Sequence, residues 1–401
     1  MEPKIRFKGF EGEWNDTIWG NHIVSTHTGT NLLGEVSNKG IPLLKMGNIQ
    51  RGFFDLDKME YLAANQNPPV NCIANYGDFF YNTRNTLELV GKGATWMKKD
   101  GIYAFNSNIA ICKLDGIDTF FFNYLYNTLR SIKQVQARAK GTTSVAAVYM
   151  RDLKSIELAL PHIPEQQAIA SYFTSLDSQI SASTSRLASL KQMKAASLQA
   201  MFPQEGKTVP KIRFKGFEGE WKKVKADSIF KTFNEKNRPD LPVLSATQDR
   251  GMVTRESIGY NIFHDTSNEA TYKHILPGQF VIHLRSFQGG FAHSEIEGIA
   301  SPAYTIMDFK NKDLYHDYYW RYVFMSKEFI KRLELITYGI RDGRSISYDE
   351  FKEMSFLVPS KEEQIKIASY LRNLDRQISF QSQRLEKLKQ IKSACLDKMF
   401  V

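Results

Sequence analysis

The chain has 401 residues, of which 42% are apolar, enough to bury ample cores in two or three domains. No stretch approaches the roughly 18 apolar residues of a membrane span, and residues 1–14 lack the apolar region of a signal peptide, so we expect a cytoplasmic protein. Its three isolated cysteines exclude a disulfide framework and a C-x-x-C zinc site. The formal net charge of +10 favours a polyanionic partner, although no basic run displays one.

The first segment of the chain is repeated. Residues 3–14, PKIRFKGFEGEW, recur without a change at residues 210–221. The halves also end alike, because residues 161–202 align without a gap on residues 359–400 with 22 identities in 42 positions. The chain is therefore predicted to contain two copies of one plan, each bracketed by shared sequence.

Between the shared segments lie two dissimilar heads, residues 15–160 and 222–358. In each head, the pattern of apolar residues and turn residues predicts a small α+β domain of hairpins with one or two helices. Aromatic helices are expected at residues 119–139 and 316–338, and their aromatic side chains at helical spacing favour a core over a stacking surface. Each is followed by a polar loop and by an extended run that ends at a proline.

The closing segments predict two long helices. Apolar residues recur every 3.5 positions with no internal Gly or Pro, which is typical of coiled coils of roughly 37 residues. Each helix could simply cover the core of its own half, but two matched seams favour intramolecular pairing. An antiparallel arrangement is favoured because its chain path is simpler. In a parallel pair the second head would have to run back along the whole length of the helices. The predicted core of the pair comprises Leu176, Ile180, Leu187, Leu190, Leu374, Ile378, Leu385 and Leu388.

The predicted fold class is therefore α+β, with two α+β heads joined by two long antiparallel coiled-coil helices in a pseudo-two-fold arrangement. The predicted segments are 1–160 for the first head, 161–202 for the first long helix, 203–210 for a linker, 211–358 for the second head and 359–401 for the second long helix.

With these features the sequence resembles a known family, the specificity subunit of type I restriction-modification systems. The resemblance rests on the repeated openings, on the elements PHIPEQQAIA at residues 161–170 and PSKEEQIKIA at residues 359–368, and on the Leu-Asp pairs at 176–177 and 374–375. It covers the whole chain. It implies two target-recognition domains, each reading one half of a bipartite double-stranded DNA target, held apart by antiparallel helices.

The resemblance also implies partner subunits. These are two modification subunits, which are methyltransferases that use S-adenosylmethionine, and two restriction subunits, which are ATP-dependent translocases and nucleases that use ATP and Mg²⁺. It implies no cofactor and no catalytic residue on this chain.

Candidate DNA-binding residues combine a position in a loop with a side chain able to contact bases or phosphates. For any one arginine, simple solvation or a phosphate contact without sequence reading is the competing interpretation. The candidates are Arg51, Arg84, Asn85, Thr142, Thr143, Arg250, Arg285, Arg341 and Arg344.

The sequence matches known catalytic motifs only weakly. Asn67-Pro-Pro-Val resembles the adenine-binding motif of amino-methyltransferases, but Val70 replaces its aromatic residue. Gly206-Lys207-Thr208 resembles the end of a P-loop, yet Met201 stands where the first glycine belongs. The eight histidines show no metal-binding spacing. We therefore expect a non-catalytic subunit, and the alternative is a scaffold or enzyme subunit with no direct DNA-reading role.

Overall fold

The computed structural model describes residues 2–36, 39–142, 144–247, 250–258, 266–283, 290–336 and 347–401. The chain divides into two compact units. Unit 1 comprises Met1–Thr184 and Arg384–Val401, and unit 2 comprises Ser185–Gln383. Each unit therefore contains one head and a part of each long helix.

The elements of the first half begin after the opening segment and end with the first long helix. They are β1 (Asn15–Ile18), β2 (Ile23–Thr28), β3 (Gly34–Glu35), β4 (Pro42–Leu44), β5 (Glu60–Leu62), β6 (Phe79–Asn82), β7 (Arg84–Asn85), β8 (Gly93–Thr95), β9 (Ala104–Phe105), β10 (Ile109–Leu114), α1 (Thr119–Tyr126), α2 (Leu129–Ala137), β11 (Lys140–Gly141), β12 (Ala146–Ala147), α3 (Met150–Leu153), β13 (Glu157–Leu160) and α4 (Ile163–Ala200), with 3-10 turns at Trp19–His22 and Val70–Cys72.

The second half follows the same order in outline. Its elements are β14 (Lys222–Lys225), α5 (Ala226–Ile229), β15 (Phe230–Phe233), β16 (Leu244–Thr247), β17 (Gly251–Thr254), β18 (Lys273–Ile275), β19 (Phe280–Ile282), β20 (Phe291–His293), β21 (Gly298–Ala300), β22 (Thr305–Phe309), α6 (Asp317–Met325), α7 (Lys327–Ile336), α8 (Tyr348–Glu353), β23 (Ser355–Val358) and α9 (Lys361–Met399), with 3-10 turns at Arg255–Ile258 and Thr266–Thr271.

The central sheets of the two heads have equivalent topologies. In unit 1 the strand order is β2-β10-β6-β8, and in unit 2 it is β15-β22-β19-β20, with antiparallel pairing throughout. The strand before each long helix pairs with the strand after each opening segment, as β13 with β1 and β23 with β14. The dissimilar heads therefore share one framework.

Each long helix contributes to the core of the head beside it. In unit 1, Phe173 of α4 and Phe400 beyond α9 pack against each other with ring centroids 5.9 Å apart, and Phe400 contacts Trp14 and Phe121. In unit 2 the equivalent core contains Phe202 after α4, Trp221 of the second opening segment and Tyr319 of α6. The three aromatic rings contact one another. Since apolar burial is the main driving force of folding, the helices and heads are expected to fold together in each unit.

Within each unit the parts of α4 and α9 run antiparallel. In unit 1, Asp177 lies beside Lys392 and Tyr172 beside Cys395. In unit 2, Lys194 lies beside Asp375, and Ser197 beside Tyr370. The predicted α+β class with paired long helices is confirmed, and α4 and α9 have 38 and 39 residues. The eight residues predicted for the helix-pair core are all buried or half-buried.

The aromatic helices differ from the expectation, since each is two short helices. The first breaks at Thr128, whose hydroxyl accepts a hydrogen bond from the amide of Ser131. The second breaks at Ser326, whose hydroxyl accepts from the amide of Phe329. A serine or threonine that caps a new first turn satisfies amides that an uninterrupted helix would have paired. Among the described residues, no helix has the length and apolar character needed to cross a membrane.

Candidate nucleic-acid interface

The first head is attached to the long helices by a tyrosine, an aspartate and a lysine. The Tyr124 hydroxyl, from α1, donates to Oδ2 of Asp177 on α4 at 3.0 Å. Nζ of Lys392 on α9 lies 2.5 Å from Oδ1 of the same carboxylate. Burial raises the pKa of Tyr124 above its ordinary value, so the phenol remains a donor at neutral pH. One carboxylate therefore joins three elements.

The second head has the same attachment. The Tyr322 hydroxyl, from α6, donates to Oδ2 of Asp375 at 2.7 Å, and Nζ of Lys194 lies 2.6 Å from Oδ1 of Asp375. Burial likewise raises the pKa of Tyr322. Because the two triads match in residue type and geometry, both dissimilar heads are attached to their helices in the same way.

The opening segments are anchored by a buried ion pair. Arg6 donates from Nε and Nη2 to the two oxygens of Glu165, both at 2.7 Å, and Arg213 does the same to Glu363 at 2.7 and 2.8 Å. Glu165 is 2% exposed and Glu363 is 1% exposed. The hydrogen bonds to these carboxylates raise the pKa of both arginines. Two parallel donors and a buried acceptor make a strong, directional contact.

A small sheet gathers three of the candidates of the first head. Arg84 and Asn85 form β7, which pairs with β12, and β12 pairs with β11 of a hairpin. The exposed Thr142 lies in the turn of that hairpin, where its amide donates to the carbonyl of Val145 at 2.9 Å. Residues that are 57 positions apart in sequence thus lie on one surface. Thr143 lies outside the described residues.

The exposed row of this sheet is basic. Ala147 lies opposite Arg84 on one side and opposite Lys140 on the other. Directly opposed residues place their side chains on the same face of a sheet, so Arg84 and Lys140 project together, and both are exposed. The polar loop expected after the first aromatic helix instead begins as strand β11, because its backbone pairs with β12.

Residues just after the sheet extend this surface. Tyr149 is exposed, and the guanidinium of Arg151 lies 5.2 Å from its ring centroid. Asp152 lies 3.1 Å from Lys140 and 3.6 Å from Arg151. The hydrogen bond from Lys140 is the main cause of the lowered pKa of Asp152. An exposed aromatic ring beside cations is suited to sugar, base and phosphate contacts.

The sequence reasoning missed Lys140, Tyr149 and Arg151 as individual site residues. The signal was present, since a lysine, a tyrosine and an arginine fall within twelve residues that contain no acidic side chain before Asp152. Such interleaving of basic and aromatic residues is a signature of nucleic-acid binding.

Arg51 lies at the edge of the same region and faces a cleft. Its Nη2 donates to the carbonyl of Glu88, in the turn after β7, at 3.1 Å. Burial lowers the pKa of Arg51, although a guanidinium remains charged at neutral pH. The cleft has a volume of about 930 Å³ and lies between the head and the helices within unit 1. Its other basic lining residues are Lys98, Lys389 and Lys392.

In the second head, the structure describes one of the four candidates. Arg250 is exposed beside the turn of the β16–β17 hairpin, and its amide donates to the hydroxyl of Thr247 at 3.2 Å. Gly251 follows with φ of +76°, and a Cβ there would lie 2.3 Å from the carbonyl oxygen of His293, so only glycine fits. Arg285, Arg341 and Arg344 lie outside the described residues.

The structure also shows where one of the weak catalytic motifs lies. Val70, which follows Asn67-Pro-Pro, is exposed in a 3-10 turn. Within the described residues no group of three or more His, Cys, Asp or Glu side chains could hold a metal ion.

The comparisons with known proteins agree with this architecture. The family model of the type I restriction modification DNA specificity domain matches residues 33–192 and 218–390. Because these ranges cover more than half of the chain, the chain belongs to that family, and the resemblance noted in the sequence is confirmed.

One relative is a putative type I restriction enzyme MjaX specificity subunit from Methanocaldococcus jannaschii, which is 21% identical over 194 residues. The match covers 46% of this chain and 45% of the relative, so it spans about half the length of that protein. The crystal structure of a type I restriction-modification S subunit from M. genitalium matches with a TM-score of 0.65 and 15% identity, covering 100% of this chain and 99% of that one. An HsdS subunit from Thermoanaerobacter tengcongensis matches with a TM-score of 0.44 and 16% identity over 98% of each chain. The M. genitalium match shows a shared fold.

Proposed function

We propose that this chain is the DNA-binding specificity subunit of a type I restriction-modification complex. In this proposal the two heads read the two halves of a bipartite target in double-stranded DNA, and the long helices form the scaffold for the catalytic subunits. The observation that carries the proposal is the identical anchoring of two dissimilar heads by the triads Tyr124–Asp177–Lys392 and Tyr322–Asp375–Lys194.

Shared anchors and different heads suit a protein that must read two different DNA sequences with both heads attached to their helices in the same way. The anchors are the same, so each head has one fixed orientation on its helix pair. The outer surfaces differ, so each head can contact different base edges. A helix of 38 residues is about 57 Å long. That length is adequate for half-sites separated by one or more turns of DNA, at about 34 Å per turn.

The basic surface of the first head supports DNA as the ligand. Arg84, Lys140 and Arg151 project from one region, with the exposed ring of Tyr149 among them. Cations on such a surface contact phosphates and set the register of the protein on the duplex, whereas base-edge contacts select sequence. We propose that Arg84 and Arg51 are base-reading candidates and that Lys140 contacts phosphate. Arg250 is the equivalent candidate of the second head.

The repeated helix pair supports two copies of each partner. We propose that two modification subunits bind the chain and that two restriction subunits complete the assembly in the cytoplasm. S-adenosylmethionine would then act in the modification subunits, and ATP and Mg²⁺ in the restriction subunits. The chain itself would perform no chemistry.

The test is methylome sequencing of cells that carry the modification subunit, with and without this chain. We expect methylated adenines in a bipartite motif only when the chain is present. If the methylated sequence were the same without the chain, a scaffold with no DNA-reading role would replace this proposal.

A further inference from the structure

The two dissimilar heads share one short feature, an Arg-Gly pair in a hairpin, at Arg51-Gly52 and Arg250-Gly251. Both glycines have positive φ angles, +85° in the first head and +76° in the second, a region of backbone conformation that favours glycine. Both arginines are candidates for contacts with bases. The parts of the head that hold each pair therefore determine which base the arginine reaches.

In the first head the glycine of the pair is held from two elements. The amide of Gly52 donates to the carbonyl of Gly93 in β8 at 3.0 Å. The carbonyl of Gly52 accepts from Nδ2 of Asn123 in α1 at 3.0 Å, and Oδ1 of Asn123 accepts from the amide of Thr95 at 2.9 Å. Asn123 is 0% exposed. One buried side-chain amide therefore joins the helix, the outer strand of the sheet and the turn.

The residues beside this glycine are at the surface. Arg51 is half-buried, and Phe53 is 60% exposed. The turn is also braced against the segment after β7, because Arg51 donates to the carbonyl of Glu88 at 3.1 Å and Lys92 donates to Oε1 of Gln50 at 2.7 Å. The backbone of the turn is thus fixed on two sides, while its arginine and phenylalanine side chains reach the surface.

Asn123 has a counterpart in the second head. Asn123 and Arg321 directly precede the tyrosines of the two triads. Arg321 lines a small cavity with Gly251 and His293, and its Nη1 lies 2.5 Å from Oε1 of Glu295, just after β20. Successive residues of an α-helix point about 100° apart. One turn of α1 or α6 therefore contacts the Arg-Gly pair on one side and the carboxylate of a long helix on another.

We propose that Asn123 and Arg321 are positioning residues, which set where the Arg-Gly pair of each head meets the DNA. A contact that discriminates between bases requires the side chain to be held to within about 0.5 Å, by groups whose own positions are locked. Asn123 meets this requirement, since it is buried and has two hydrogen bonds. This inference rests on the proposed function, and it adds residues that control sequence preference without touching DNA.

The test measures base preference in each half-site separately. The assembled methyltransferase, made of the full chain and its modification subunit, is titrated by anisotropy with its target duplex and with duplexes that carry single base-pair changes in either half. The variants are Asn123→Ala, Asn123→Ser as a milder change, Arg51→Ala, the double variant Asn123→Ala, Arg51→Ala, and Arg321→Gln for the second head. The control is Leu158→Ala, a core truncation in β13, which lies in a different sheet from β8.

We expect Asn123→Ala to reduce the preference for the target base by about 10-fold at one or two positions of one half-site, the size of one base contact. Binding to DNA without the target should change by less than about 2-fold, because no charge that contacts phosphate is removed. Asn123→Ser should have a smaller effect of the same kind, and Arg321→Gln should alter preference in the other half-site. The double variant should match Arg51→Ala, since Asn123 acts through the turn that carries Arg51.

Two results would overturn this inference while leaving the proposed function intact. One is a variant of Asn123 that melts at a lower temperature, as Leu158→Ala should, but keeps the wild-type base preference in both half-sites. The other is a double variant in which the losses of the two single variants multiply, because the two residues would then act independently. A wild-type complex with no base preference in either half-site would overturn the proposed function and this inference with it.

Discussion

Oδ1 of Asp177 lies 2.5 Å from Nζ of Lys392, across the antiparallel segments of α4 and α9 in unit 1. The same carboxylate accepts the hydroxyl of Tyr124 from the head. Both charged side chains remain partly exposed, at 36% for Asp177 and 29% for Lys392. The contact therefore orients the head on the helices, and its contribution to stability is smaller than that of a fully buried pair.

Replacement of this carboxylate should loosen the first head. We expect Asp177→Asn to lower the free energy of unfolding by about 1–2 kcal/mol, because the lysine loses its counter-ion and the tyrosine its charged acceptor. A double-mutant cycle with Lys392→Met should give a coupling energy of about 0.5–1.5 kcal/mol. The exposed Asp57→Asn serves as the control, with a change within about 0.5 kcal/mol. Zero coupling in urea unfolding would show that the contact does not stabilise unit 1.

Loss of the Arg6 guanidinium should be more costly. Arg6→Ala leaves Glu165 buried without its partner, so we expect a loss of about 3 kcal/mol or more. Arg6→Lys should recover only part of this, since an ammonium cannot make the two parallel hydrogen bonds. Denaturant unfolding measures both, with the exposed Lys8→Ala as the control. The double variant Arg6→Ala, Glu165→Gln should be more stable than Arg6→Ala, and the opposite order would contradict the account.

The basic surface of the first head predicts two distinct kinds of DNA effect. Arg84→Ala should cost about 1–3 kcal/mol and relax the preference at one position of the target. Lys140→Ala should weaken binding to all sequences alike and reduce the salt-dependence slope by about 0.9. Anisotropy titrations of the assembled methyltransferase on duplexes with single base-pair changes separate these effects. The control is Lys133→Ala, an exposed lysine on α2 that is not part of the sheet. A uniform loss in Arg84→Ala would assign that side chain to phosphate.

Buried Cys112 predicts a loss of stability at high pH. Its thiol is 0% exposed in β10, and burial raises its pKa from 9.0 to about 12. The raised pKa means that the protonated thiol stabilises the native state below pH 9, and that this contribution is lost as the pH rises from about 9 towards 12. At pH 10 the contribution lost should be on the order of 1 kcal/mol. Urea unfolding at pH 8 and pH 10 should show a fall that is smaller by that amount in Cys112→Ala. Equal falls in the two proteins would contradict the assignment.

The repeat and the helix seams could be predicted because they depend on local sequence. A 3.5-residue period without Gly or Pro specifies a long helix with one apolar stripe, and Leu187 and Leu385 are buried in that stripe. Lys194 and Lys392 lie in the same two helices, but the sequence does not reveal their partners. Their pairing with Asp375 and Asp177 joins residues 181 and 215 positions apart, and no local pattern encodes such a pair.

The heads were harder to predict for the same reason. The caps at Thr128 and Ser326 break helices that composition alone favours as continuous. Strand β11 looked like a loop because Lys140 and Gly141 have low strand propensity, and only pairing with β12 fixes them. The surface formed by Arg84, Lys140 and Tyr149 depends on that long-range pairing, so it emerged only in the folded structure.

The central claim is that each head reads its own half of a bipartite DNA target. The most direct measurement is the methylome of cells in which residues 15–160 are replaced by the corresponding head of another specificity subunit, with the shared segments and the second head unchanged. The account predicts that one half of the methylated motif changes while the other half and the spacing between them stay the same. A motif that is unchanged, or one in which both halves change, would contradict it.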